Sequence, residues 1–276
     1  MKMQAPALVS ELPDSIQAIR RHADSFTTNL FAARHELQQW LDDGVMLQYE
    51  PGCRILLLRR DGCFHRLYHV ASVPSELHAI EAFVHKHEPR TDIVADLIGT
   101  DSSLDREAEC YRNSGFEEYT VLLRMALMTG AFGGGTEEGT CGAFATSADV
   151  FPVTRFLDGV LDPFRDRVPA QAEVVAAVER SSILVARDGE EIEGLLWFEH
   201  SGATSLLRYW YVAPGHLRQG IGGGLMQHYL KLCSGKRRIL VWVVRENALA
   251  SAIYRHYGFR EDGLVDRILL RKRLRE

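Results

Sequence analysis

The clearest hydrophobic pattern lies in the second half of the chain, where short apolar runs alternate with stretches of helical spacing. Ser182–Ala186 and Glu193–Phe198 are apolar runs around Arg187-Asp188-Gly189-Glu190, which predicts a hairpin. Ahead of it, Ala145-Thr146 reads as a short first strand. Asp149 stands at a helix-cap position, and Ala170–Val178 has helical spacing behind Pro169. Leu206–Val212 is a strand rich in aromatics. Leu225–Cys233 returns to helical spacing, and Ile239–Val244 is a continuous apolar run of the kind buried on both faces. Asn247–His256 reads as a helix capped by Asn247 and ended by Gly258, and Ile268–Leu270 as the last strand.

The first half gives the same order with weaker signals. Gly44–Tyr49, Arg54–Leu58, Phe64–Ala71, Ile93–Ile98 and Tyr119–Met125 read as strands, with a turn at Asp61-Gly62. Glu76–His87 and Glu107–Asn113 read as helices, the second ended by Gly115. Tyr111-Arg112-Asn113-Ser114-Gly115-Phe116 falls on Tyr254-Arg255-His256-Tyr257-Gly258-Phe259 at an offset of 143 residues, and Val70-Ala71 on Val212-Ala213 at 142. The Asp61-Gly62 turn lands beside the turn at Gly202. Three features in one order at nearly one offset predict an internal duplication. The glycine-rich stretch 130–142 disfavours helix and strand and reads as a linker, giving domains at 1–129 and 143–276.

Two domains also suit the length of 276 residues. The chain is 46% hydrophobic and 25% charged, with a mean hydropathy of -0.13, which excludes a disordered chain, a collagen and a membrane bundle. No apolar run approaches the roughly 18 residues of a spanning helix, and Met1–Pro6 lacks a signal-peptide pattern. A net charge of -5 gives no reason to expect a nucleic-acid binder. Five cysteines with no CxxC or Cys/His spacing point to a reduced, cytoplasmic chain without disulfides or structural zinc. Gly133–Gly139 is not a P-loop, because Thr140-Cys141 stands where Lys-Ser/Thr is needed.

The chemistry concentrates in Tyr209–Leu225, where a strand runs through a glycine turn into a helix. The glycines leave the amides of Arg218, Gln219, Gly220, Ile221, Gly222 and Gly223 uncovered at a helix N-terminus, an anion site suited to a pyrophosphate, and Arg218 adds a positive charge. Two phosphate readings compete. Gly220-Ile221-Gly222-Gly223-Gly224-Leu225 supplies two glycines of a dinucleotide fingerprint, with Glu246 as the ribose acid, but that fingerprint follows the first strand of its unit and here at least three precede it. The other is an acyl-coenzyme A site.

Val212-x-Pro214-x-x-x-Arg218-Gln219-Gly220-Ile221-Gly222 resembles the coenzyme A motif of the GCN5-related N-acetyltransferases (GNAT), and Asn247-x-x-Ala250-x-x-x-Tyr254-x-x-x-Gly258-Phe259 resembles their closing motif. The resemblance covers roughly 141–276. It implies two GNAT-like α/β domains in tandem, each a mixed, mostly antiparallel twisted sheet flanked by helices. It also implies acetyl-CoA as co-substrate, with no metal, and transfer of the acetyl group to a primary amine by direct attack. The strand at Tyr211-Val212 would splay from Ile239–Val244 and pair with the pantetheine arm at Val212 and Pro214. Asn247 would cap its helix and touch that arm. Tyr254 matches the general acid for the departing thiolate. Leu217 stands where the family's signature begins with Arg or Gln. A base glutamate would fall near Leu206, which cannot act, so Glu199 and His200 are the nearest alternatives.

Carried into the first half, the glycine turn lands on Ser72–Ala82, where Gly220 and Gly222 become His78 and Ile80 and no glycine remains. Tyr111 keeps the acid position. The first copy therefore reads as a degenerate domain packed on the second. Its histidines His65, His69, His78, His85 and His87 lack a carboxylate or cysteine to complete a metal set. The expected partner is a small-molecule or peptide amine, with no nucleic acid and no membrane, and monomer and homodimer stay open. The rival readings are a non-catalytic acyl-CoA sensor and a transferase using another acyl-CoA.

Overall fold

The computed structural model describes residues 5–32, 34–42, 46–50, 54–87, 90–128, 141–189 and 191–273. The expected linker at 130–142 lies outside them except for its last two residues. The chain divides into two compact units: Met1–Leu122 with Gly263–Glu276, and Leu123–Asp262.

The first unit holds α1 (Ala5–Arg21), β1 (Thr27–Thr28), α2 (Arg34–Asp42), β2 (Met46–Glu50), β3 (Arg54–Asp61), β4 (Phe64–Ala71), α3 (Ile80–His87), β5 (Ile93–Thr100), α4 (Asp105–Asn113) and the start of β6 (Glu117–Met128). β2, β3 and β4 form an antiparallel ladder, β1 pairs antiparallel with β4, and β4 pairs in parallel with β5. Ile55, Leu57 and Val70 form a core with Leu12, Ile19, Leu37 and Trp40 of α1 and α2. Leu56, Leu58 and Leu67, one position on, are buried on the other face. The sequence reading starts at Gly44 and so misses both helices. α1 carries Pro13 in its interior and no acid in its first turn, and α2 presents few apolar positions.

The second unit holds β7 (Ala143–Phe144), α5 (Val150–Val160), α6 (Gln171–Glu179), β8 (Ile183–Asp188), β9 (Glu191–Ser201), β10 (Thr204–Val212), α7 (Ile221–Leu232), β11 (Arg238–Val244) and α8 (Ala248–His256). β7 to β10 are antiparallel in series, and β11 pairs in parallel with β10. Period-two alternation divides the side chains between two cores. Ile183, Val185, Leu195 and Trp197 meet Val153 and Leu157 of α5 and Val174 and Ala177 of α6. Leu184, Ala186, Leu196 and Phe198 meet Leu225, Met226 and Tyr229 of α7 and Tyr254 of α8.

The duplication is visible in the backbone. α4 plus 143 residues is α8, and β6 plus 143 is β12 (Arg260–Arg271), to the residue. Both helices close alike: Phe116 N–H donates to the Tyr111 carbonyl and Phe259 N–H to that of Tyr254, each at 3.1 Å. Gly115 and Gly258 hold the left-handed backbone that this closure needs, at φ 82° and 93°.

The last strand extends beyond its expected run. Ile268–Leu270 is a small part of β12, which pairs antiparallel with β5 from Leu264↔Thr100 to Arg271↔Ile93. Eight consecutive residue pairs hold 264–271 in the first unit, whereas Met125 and Leu127 of β6 sit in the α7-side core of the second. Each copy's last strand thus ends in the other copy's unit, which chain order alone does not reveal. Ile268 is fully buried, so Ile268→Ala costs about 2–4 kcal/mol. Its amide-exchange signature is faster exchange across 93–100; acceleration confined to β8–β10 would show that the strand belongs to the second unit.

Candidate functional site

A β-bulge in β10 organises the second unit. Its register against β9 shifts between Leu207 and Tyr209. In a regular strand those two residues share a face; here Leu207 lies in the α7-side core and Tyr209 in the α5-side core. The extra residue, Arg208, switches faces for everything after it. Trp210 packs on the α7 side and Tyr211 on the other. The ladder of β10 with β11 runs from Thr204↔Arg238 to Leu207↔Val241, and no pair beyond it is formed among the described residues. The strands part where the bulge begins.

Beyond that point lies a cavity of about 380 Å³, lined by Trp210 and Val212 of β10, by His216, Leu217, Arg218 and Gly220 of the turn, by the start of α7, and by Ala250, Ile253, Tyr254 and Tyr257. α7 begins at Gly220, in the left-handed region at φ 84°, with no side-chain cap on its first amides. At Gly222 a Cβ would stand 3.3 Å from Val212 Cγ2, so glycine lets the helix start lie close against β10. Arg218 also has a positive φ, 64°, a conformation a non-glycine residue adopts at a cost of about 1 kcal/mol or more. Exposed amides, the positive end of the α7 dipole and the Arg218 cation together suit an anion. Tyr254 forms the opposite wall. Burial pushes its phenol up, with nearby Tyr211 adding to the effect, so it stays protonated and able to donate at neutral pH.

A family model described as an acetyltransferase (GNAT) domain matches residues 179–261. Those residues are similar to a GNAT domain. No relative is found among curated proteins. Among solved structures, a tandem GNAT protein from the clavulanic acid biosynthesis pathway superposes with a TM-score of 0.60 at 12% identity, covering 99% of this chain and 98% of its own. A GCN5-related N-acetyltransferase from Sphaerobacter thermophilus gives 0.59 at 12%, covering 97% and 92%. An acetyltransferase of the GNAT family from Colwellia psychrerythraea gives 0.56 at 13%, covering 95% and 97%. At such identities the likeness is one of fold, and the fold is the tandem GNAT arrangement.

Of the residues expected at the site, Val212, Leu217, Arg218, Gly220, Ile221, Gly222, Gly223 and Tyr254 line the cavity. Pro214 and Gln219 belong to the turn without lining it, and the Gln219 amide donates to the Gly215 carbonyl at 3.3 Å. Asn247 caps α8, its Oδ1 accepting from Ala250 N–H at 3.0 Å. Glu199 sits on β9 away from the lining, in an ion pair with Arg208 at 2.8 Å. His200 contacts Ser205 Oγ at 3.0 Å, which lies 2.7 Å from the Tyr229 hydroxyl. Burial and Lys236 lower the His200 pKa. Trp210, His216 and Tyr257 are lining residues the motifs do not mark. Tyr257 had a signal, since Ala250, Ile253, Tyr254 and Tyr257 follow helical spacing on one face of α8; His216 had none, because its partner lies on another strand.

The first unit builds the same frame and closes it. A 3-10 turn, Pro74–Ala79, runs directly into α3 where the second unit has its glycine turn. Tyr111, the counterpart of Tyr254, is fully buried, and its hydroxyl lies 2.9 Å from His69 Nδ1. His69 Nε2 is 3.1 Å from Thr27 Oγ1 and 3.7 Å from Glu107. Among the described residues no cluster of His, Cys, Asp and Glu could hold a metal ion.

Burial lowers the His69 pKa to about 3. The unfolded chain takes up a proton near the ordinary histidine value of about 6.5, while the folded imidazole stays neutral. The stability His69 provides is therefore present above that value and lost as pH falls from it toward 3. Urea unfolding at pH 7.5 and 5.5 is expected to show wild type losing stability more steeply than His69→Gln, by up to roughly 1 kcal/mol per pH unit. Identical slopes for the two proteins would contradict a buried neutral His69.

Proposed function

We propose that the second unit transfers an acetyl group from acetyl-CoA to a primary amine of a small molecule or peptide. The observation that carries this reading is one cavity with an uncapped glycine helix start at one side and a buried, protonated Tyr254 at the other, placed where β10 parts from β11. The residues present fit the nucleotide thioester. The Gly222 close approach and the open amides of α7 suit the pyrophosphate, and the Val212 backbone, freed from β11, suits the pantetheine arm. Acetyl-CoA supplies an activated acyl carbon when bound.

The protein's own groups then do four things. The α7 amides and Arg218 hold the anionic end. The Val212 strand edge offers backbone hydrogen bonds to the arm. A backbone amide near Val212 polarises the acyl carbonyl. As the amine nitrogen bonds the acyl carbon and the C–S bond breaks, the Tyr254 hydroxyl donates its proton to sulfur and recovers one from the amine through solvent. With Glu199 occupied by Arg208 and outside the lining, the amine enters already neutral.

Turnover of acetyl-CoA across an amine panel tests the reading. Tyr254→Phe is expected to lower turnover by roughly 10²-fold or more while CoA affinity stays within about twofold. Gly222→Asp, which sets a carboxylate against the anion cradle, is expected to weaken CoA by at least about tenfold. Unchanged turnover in the first variant removes the acid role, and unchanged affinity in the second removes the site.

A further inference from the structure

The signature position that would supply a polar phosphate contact is Leu217, an apolar side chain that is 56% exposed at the cavity rim. The residue before it is His216, which lines the same cavity. Its Nδ1 is 2.9 Å from Glu193 Oε1, and both side chains are largely covered, at 28% and 16% exposed. Glu193 comes from β9, and its carbonyl accepts from Ala213 N–H at 2.7 Å, which ties the start of the turn to that strand. The carboxylate therefore sits on a fixed backbone and orients the ring from behind. A histidine whose Nδ1 is held by a carboxylate presents Nε2 on its far side, and in the doubly protonated ring both nitrogens donate. The uncapped amides of α7 and Arg218 border the same space.

We propose that His216, oriented by Glu193, is a cofactor-binding residue that donates from Nε2 to the pyrophosphate of CoA, taking over the contact that Leu217 does not make. The proposal rests on the acyl-CoA reading of this cavity. It accounts for a half-buried Glu–His pair that neither the acid role of Tyr254 nor the core uses, and for a loop that keeps its glycines while losing the polar side chain at the signature's first position. Charge-assisted hydrogen bonds of this kind are roughly twice as strong as neutral ones.

Calorimetric affinities for CoA and for pantetheine, which lacks the phosphates, test the assignment without turnover. His216→Gln is expected to weaken CoA by roughly tenfold and leave pantetheine unchanged. His216→Lys, which sets a donor cation at the position, is expected to recover most of the CoA affinity. Glu193→Gln keeps a hydrogen-bonding partner without its charge and is expected to fall between wild type and His216→Gln. Equal losses on CoA and pantetheine, full CoA affinity in His216→Gln, or no recovery with lysine would each overturn the contact. Failure of the wild-type chain to bind CoA would overturn both the contact and the cofactor reading beneath it.

Discussion

One extra residue in β10 sets the geometry of the second unit. The bulge at Arg208 turns Trp210 and Val212 to the α7 and α8 side, and Tyr209 and Tyr211 to the α5 and α6 side. It falls where pairing with β11 ends at Leu207↔Val241. A strand that leaves its parallel neighbour exposes backbone donors and acceptors, which are costly to leave unsatisfied. The open edge beyond Leu207, the adjacent cavity and the approach of Gly222 to Val212 are consequences of that single irregularity. The same event brings Tyr254 to the cavity wall, since α8 packs against the face to which the bulge has turned Trp210, with ring centroids 5.6 Å apart.

The two copies show how one frame diverges in use. Both part a parallel pair, β4 from β5 after Arg66↔Val94 and β10 from β11 after Leu207↔Val241. In the second the space is a cavity. In the first a buried hydrogen-bonded set takes its place: His69 from β4 reaches Tyr111 from α4 and Thr27 from β1. The tyrosine at the acid position is retained there as an interior hydrogen-bond partner. A residue identity carried across a duplication is thus insufficient to carry a function. A 3-10 turn follows the strand in both units, at Pro74–Ala79 and at Pro214–His216, but only the second has a glycine turn between it and the next helix.

Much of this was legible in the residues. Apolar runs around a turn signal placed β8 and β9, apolar continuity placed β11, and Asn247 and Gly258 marked the ends of α8. The repeated Tyr-Arg-x-x-Gly-Phe segment located α4 and α8 at one offset, because closing a helix on a left-handed glycine constrains sequence strongly. What escaped was of three kinds. α1 and α2 carry interior proline or few apolar positions, so local signals underrate helices that tertiary packing supports. α7 starts at Ile221 rather than Leu225, since glycines at 222–224 look like loop until their packing on β10 is known. The assignment of β12 to the first unit and the His216–Glu193 pair are long-range facts that no local pattern encodes.

The central claim is that a duplicated frame retains one working seat for a nucleotide thioester. The most direct measurement is the stoichiometry of CoA binding to the full chain by titration calorimetry. One molecule per chain is the predicted result. Two molecules per chain, or none, would contradict it.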